Sequence, residues 1–185
     1  MSKTKKLLIA AVCLVAILTT AVVGTIAWLT DKTETVTNTF SPSNIGLTLV
    51  ENSFNGKMVP GTQIDKAATV TVTNDIDCYV FIEVTGSANL GTFIEYAVAT
   101  GWTLVDGESN VYYREVAANA NEKAFPVLAN NKVTVKNSVT KDNMASISDS
   151  ANHPTLSFTA FACQKEGFAN AAAAWTEAQK LDTNP

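Results

Sequence analysis

The sequence predicts an all-β protein: an antiparallel, jelly-roll-like β-sandwich with a short C-terminal helix, preceded by an N-terminal signal helix. Three observations support this fold class. After residue 44, apolar and polar residues alternate in short stretches, turn residues separate these stretches, and the one clear helical pattern comes late in the chain. Strands that do not alternate with helices favour antiparallel pairing, so residues 45–185 are predicted to form one domain.

The N-terminus combines positive charge with a long apolar run. Three lysines within the first six residues precede an uncharged stretch that extends to Asp31. This arrangement is typical of a secretory signal peptide, whereas an uncleaved span of roughly 20 residues would anchor the chain in a membrane. Thr25-Ile26-Ala27 fits the small-x-small pattern that signal peptidase recognises. Residues 1–27 are therefore predicted to be a signal peptide, with cleavage between Ala27 and Trp28.

The segment that follows the predicted cut, residues 28–44, is rich in threonine. From Thr33 onward its threonines lie on one face of any strand it forms, and Glu34, Val36, Asn38 and Phe40 lie on the other. High β-propensity with so polar a pattern does not lock one register against its own core. The segment is an ordinary first edge strand, a frayed tail or a donor for strand addition. The 13 residues Trp28–Phe40 span about 40 Å when extended, which is enough to reach a neighbouring subunit. The residues predicted for the donor role are Trp28, Leu29, Thr33, Thr35, Val36, Thr37, Thr39 and Phe40.

Strands are predicted in order along the main domain, because β-branched and aromatic residues recur there with a period of two. A Pro-Gly turn at 59–63, a polar connection at 74–77 and a hairpin loop containing Asp106-Gly107 separate some of them. A terminal helix is predicted at about 168–181, after Gly167, while the polar residues 143–150 receive no assignment. The predicted strands are 44–51, 68–74, 78–85, 102–105, 111–116, 131–137 and 154–164.

The composition offers little for catalysis or for binding nucleic acid. Lys and Arg number 13 against 17 Asp and Glu, and no basic stripe is present, so a nucleic-acid partner is not expected. His153 is the one histidine, and the sequence contains no zinc-binding or Gly-x-Ser-x-Gly motif. Asp75 and Asp77 indicate a solvated turn in preference to a calcium loop. The sequence therefore predicts no enzymatic activity, no cofactor and no metal site.

Cysteines and aromatic residues leave two smaller questions. Cys78 and Cys163 remain after the predicted cut, and they form either one disulfide or two buried free thiols. Trp102, Tyr112 and Tyr113 are expected to pack in the core, although such residues also build carbohydrate-binding platforms.

Three stretches together resemble a known family: "TIAWLTDKTETVTNTFSPSNIGLTLVEN", "KMVPGTQIDKAATVTVTND" and the late "FTAFACQKEGF" with its following "AW". The chain resembles the TasA/camelysin family of exported proteins, most specifically from Thr25 through the strand at Ile45. The resemblance implies processing by a SipW-type signal peptidase and a jelly-roll sandwich. It also implies extracellular biofilm fibres, in which the N-terminal strand of one subunit, here Trp28 to Phe40, completes the sheet of the next.

The expected function is that of a secreted structural subunit at the cell surface or in the extracellular matrix. Its expected partners are the SipW-type peptidase, further copies of itself and other matrix proteins, with membrane contact only through the uncleaved signal segment. The alternative is a monomeric cell-surface adhesin. Camelysin members are described as metalloproteases, but His153 alone provides no residue set for that activity.

Overall fold

A computed structural model describes residues 43–52 and 57–180 of the chain. The predicted signal peptide, the cleavage site at Ala27 and Trp28, and every predicted donor residue up to Phe40 lie outside the described residues.

Within these ranges the chain forms ten strands, three α-helices and two 3-10 turns. In chain order they are β1 (Ile45–Glu51), β2 (Gln63–Asp65), β3 (Ala68–Asn74), β4 (Cys78–Gly86), α1 (Leu90–Phe93), β5 (Ile94–Glu95), β6 (Thr103–Leu104), β7 (Val111–Val116), β8 (Ala124–Pro126), a 3-10 turn (Ala129–Asn131), β9 (Lys132–Val135), α2 (Lys141–Ser146), a 3-10 turn (Ser150–Asn152), β10 (Leu156–Gln164) and α3 (Ala171–Ala178).

The strands form three sheets in which every strand pair is antiparallel. The first sheet has the order β1-β3-β8, the second β10-β4-β7-β6 and the third β2-β9-β5. The predicted class of a mainly antiparallel β protein with a short C-terminal helix is confirmed. All seven predicted strands in the described ranges are present, including the β6–β7 hairpin, in which Gly107 has a φ of 85°.

Two apolar clusters hold the sheets together. The first cluster contains inward-facing residues of all three sheets, among them Val72 of β3, Ile82 of β4 and Val135 of β9. The second cluster lies on the opposite face of the second sheet, where α3 packs over Phe81 and Phe161. The sequence interpretation of β4 as half-buried is therefore wrong, because α3 covers the face that alternation assigned to solvent.

Local chemistry explains where α3 begins and how it packs. The Asn170 side chain accepts a hydrogen bond from the backbone N–H of Ala173 at 2.9 Å, which satisfies one of the free N–H groups at the helix N-terminus. The buried residues then recur with helical spacing, at Ala171, Ala174, Trp175 and Ala178.

Several short elements have no clear signature in the sequence. Strands β2, β5 and β8 have only two or three residues each, too short to show alternation. Helix α2 lies partly within the residues left unassigned. It begins after Thr140, whose side chain and that of Asn143 form a capping box.

Candidate assembly surface

The free edges of the sheets differ greatly in length. Each sheet has two edge strands, and in the described residues β1 with seven residues and β10 with nine are by far the longest of the six. The other four have two or three residues each, and β8 ends in Pro126, which has no N–H to donate. A long, unpaired edge presents a row of backbone donors and acceptors and is a template for another strand. Strands β1 and β10 are therefore the candidate sites for strand addition.

These two edges run beside each other. Strand β1 contacts β10 although the two belong to different sheets. Glu51 at the end of β1 and Leu156 at the start of β10 line one pocket, whereas Ser43 before β1 and Gln164 at the end of β10 line another. The strands consequently run in opposite directions along a shared line. We call this line, between Ile45–Glu51 and Leu156–Gln164, the seam.

The first cluster is incompletely covered along the seam. Its fully buried members come mainly from interior strands, while the seam strands contribute, apart from the buried Phe158, apolar side chains that are only partly buried. On the other face of β1, the side chain of Val50 is 62% exposed. A further strand here would remove apolar surface from water, which is favourable at roughly 25 cal/mol per Å². The partly buried residues are Ile45, Leu47, Leu49, Leu156, Ala160 and Ala162.

The pocket at the Glu51 end of the seam is mainly apolar and has a volume of about 400 Å³. Lys66 forms an ion pair with Glu51 at its wall, and the Lys66 ammonium also lies 5.4 Å from the centre of the Phe158 ring. We call it the apolar pocket. Its apolar lining residues are Met58, Ile64, Leu90, Ile94, Val133, Pro154 and Leu156.

The pocket at the Ser43 end is larger, about 680 Å³, and its lining combines the charged residues Asp77 and Glu166 with the apolar residues Ile76 and Phe168. Lys165 also lines it and donates to Glu115 Oε2 at 2.6 Å, and this hydrogen bond raises the pKa of Lys165. The two ends of the seam therefore differ in chemistry.

In the described residues Cys78 and Cys163 are free thiols, Cys78 buried and Cys163 half-buried. Cys163 pairs with Tyr79 across β10 and β4, and Cys78 is the residue before Tyr79. Successive residues of a strand point to opposite faces. Cys78 accordingly lies in the first cluster and Cys163 packs against the second, so the sheet itself separates the thiols.

Burial makes these thiols slow to react. Cys78 is fully buried, and desolvation raises its pKa to about 11; burial raises the pKa of Cys163 as well. In the chain from residue 28 onward at pH 8, we expect a thiol reagent to label Cys78 only on unfolding, since its thiolate fraction is about one in a thousand. A Cys163→Ser variant isolates Cys78, and stoichiometric labelling of its native state within seconds would contradict the buried placement. Burial favours the neutral Cys78 thiol in the folded state. The contribution of Cys78 to the free energy of unfolding is therefore full below the usual pKa of a thiol and is lost as the pH rises through about 11.

The structure places the remaining candidate residues of the sequence in turns and loops. Asp75 Oδ1 accepts from the Asn44 N–H and Asp77 Oδ1 from the Ala118 N–H, each at 2.9 Å, so both carboxylates hold the turn. His153 is an exposed loop residue that ends a 3-10 turn. In residues 43–52 and 57–180, no three His, Cys, Asp or Glu side chains are grouped to hold a metal ion.

The three aromatic residues do not form one platform. Trp102 is buried in the first cluster, where its Nε1 donates to Pro126 O at 2.8 Å and its ring makes an edge contact with Phe125. Tyr112 packs against the same cluster, but Tyr113 packs against the second cluster on the other face of the sheet. The expectation of core packing is confirmed.

No helix in the described part of the chain is long and apolar enough to span a membrane. Comparisons with protein-family models, with curated proteins and with solved structures find no match. The structural class defined by these observations is an antiparallel β protein with a C-terminal helix, in which β1 and β10 are the long edge strands among the described residues.

Proposed function

We propose that this chain is a secreted structural subunit of extracellular matrix fibres, a jelly-roll-like sandwich without enzymatic activity. Subunits assemble when the N-terminal segment Trp28–Phe40 of one copy adds as a strand to the seam of the next. A SipW-type signal peptidase frees that segment by cutting between Ala27 and Trp28. The observation that carries the proposal is the seam, where the two longest edges lie together over incompletely covered apolar residues. The resemblance of the sequence to the TasA/camelysin family adds independent support.

The two faces of the segment match the two faces of β1. Leu47 and Leu49 of β1 pair with Val72 and Val70 of β3 and face the first cluster, whereas Thr48 pairs with Thr71 on the outer face. A strand added beside β1 with Val36 and Phe40 facing inward places its threonines outward, and Glu34 and Asn38 then also face inward. The added threonines then extend a face that is already rich in threonine, and the inward residues cover the seam.

Addition between copies produces a polymer because each subunit carries both a donor segment and an acceptor edge. A head-to-tail contact of this kind is heterologous, and unless the rotation between subunits closes a ring it continues into a filament. The short connection between Phe40 and Ile45 also has the length of a hairpin loop. In a free subunit the donor segment can therefore pair with β1 of its own chain. In the fibre it pairs with β1 of another copy instead, as in domain swapping.

Removal of the donor segment tests the proposal. We expect the chain from residue 28 to form fibres with a concentration-dependent onset, followed by light scattering and electron microscopy. The chain from residue 41 should stay monomeric and folded, because it keeps every cluster residue that the structure describes, from Ile45 to Ala178. Fibres formed by the shortened chain would show that strand addition is wrong.

The acceptor edge can be tested separately with a matched pair of lysine substitutions. Leu47→Lys places a charge on the seam, and Thr73→Lys places the same charge on the exposed outer face of β3. We expect only Leu47→Lys to suppress assembly, by at least about tenfold in rate, since inward charges block edge pairing. Circular dichroism checks that both variants remain folded. A stable monomer for the unmodified mature chain would instead favour a surface adhesin.

A further inference from the structure

We propose that the apolar pocket is the anchoring site for Trp28 and Leu29, the first two residues of the cleaved N-terminus of a second copy. This anchoring site rests on the proposed strand addition and specifies how the end of the donor is held. It adds a binding pocket and its occupant to a contact otherwise made through backbone hydrogen bonds.

The donor segment is longer than the edge strand that it would pair with. Strand β1 has seven residues, and the seven residues Glu34–Phe40 are enough to run along it. Six residues, Trp28–Thr33, then remain beyond the end of the seam, and they reach about 20 Å when extended. When the donor runs antiparallel to β1, and hence parallel to β10, these six residues pass Glu51 and reach the apolar pocket; in the opposite direction they pass Ser43 and reach the other pocket.

The chemistry of the two pockets favours one of them as the site for Trp28 and Leu29. Trp28 and Leu29 are the only large apolar residues among the six, and the others are Thr, Asp and Lys. The pocket at the Glu51 end has seven apolar lining residues beside the Glu51–Lys66 ion pair. The pocket at the Ser43 end has fewer apolar residues and three charged ones, namely Asp77, Lys165 and Glu166. An indole side chain therefore meets more apolar side chains and fewer charged groups in the first pocket than in the second. The match selects both the pocket and the direction of the donor strand.

Cleavage then becomes the event that makes the anchor available. Before the cut, Trp28 directly follows Ala27 and the uncharged run, so it lies inside a continuous chain. After the cut it is the terminal residue, and the volume of about 400 Å³ is large enough for one indole and one leucine side chain. Aromatic anchors in such pockets dominate interface energies, while surrounding contacts contribute much less.

The test uses the mature chain, released from a fusion so that residue 28 is the first residue, and measures the lowest protein concentration at which fibres grow. We expect Trp28→Ala together with Leu29→Ala to raise this concentration at least about tenfold. Thr30→Ala, in the same segment, serves as the matched control and should leave it within about twofold. The pocket variant Leu156→Ala alters a half-buried wall residue and should also weaken assembly.

Combining the changes identifies the contact. If Trp28 and Leu29 occupy the pocket, their substitution should cost much less in the Leu156→Ala background than in the unmodified chain. Additive effects, or full assembly by the chain with Ala at 28 and 29, would overturn the anchoring site while leaving strand addition intact. Fibre growth by the chain from residue 41 would instead overturn strand addition itself. The two failures are therefore distinguishable.

Discussion

Replacement of Trp175 by alanine is expected to lower the free energy of unfolding by about 3–5 kcal/mol. The Trp175 side chain is 5% exposed, and its ring centre lies 5.1 Å from that of Phe161 and 5.4 Å from that of Phe81. Its Nε1 also donates to Glu108 Oε1 at 3.1 Å, which ties α3 to the β6–β7 hairpin loop. Truncation would remove the largest contact between α3 and the second sheet and leave a cavity over Phe81.

Urea unfolding followed by circular dichroism measures this loss in the chain from residue 28. Thr176→Ala is the matched control, since Thr176 is the next residue of the same helix and is exposed. Its hydroxyl donates only to the Ala172 carbonyl within the helix, so we expect a change below about 0.5 kcal/mol. Equal stability of Trp175→Ala and the unmodified chain would mean that α3 contributes nothing to the fold.

The helix also illustrates what alternation in a sequence can and cannot predict. Alternation correctly separated Val80 and Ile82 from Tyr79 and Phe81 on β4, because the period of a strand is a local property. It could not predict what lies over Tyr79 and Phe81. That depends on α3, which is nearly 100 residues later in the chain, and on tertiary packing that no local pattern encodes.

The candidate site was less accessible to sequence reasoning than the fold. A free edge is defined by the strands that are not beside it, and the pairing of β4 with β10 joins residues about 80 positions apart. The segment around Thr33 could be predicted to be a donor from its own pattern, but the seam that would accept it could not. The cysteines illustrate the same point, because the faces of Cys78 and Cys163 follow from the β4–β10 register alone.

Lys123→Met is expected to lower the free energy of unfolding by about 2–4 kcal/mol, because it leaves several polar groups without partners. Lys123 Nζ donates to Asn74 Oδ1 at 2.6 Å, to Asn74 O at 2.9 Å and to Ala118 O at 2.9 Å. Asn74 is only 7% exposed, and its Nδ2 donates to Ile76 O and Val116 O. This network joins the end of β3, the end of β7 and the loop before β8.

The same substitution elsewhere provides the control. Lys136 Nζ donates one hydrogen bond, to Gly91 O at 2.6 Å in an exposed setting, so Lys136→Met should cost less than about 1 kcal/mol. Asn74→Ala should be as costly as Lys123→Met. The double variant should cost clearly less than the sum of the two, since each removes partners of the other. Strictly additive losses in urea unfolding would show that Lys123 and Asn74 stabilise the fold independently, and the three chain segments would then not be held by one shared network.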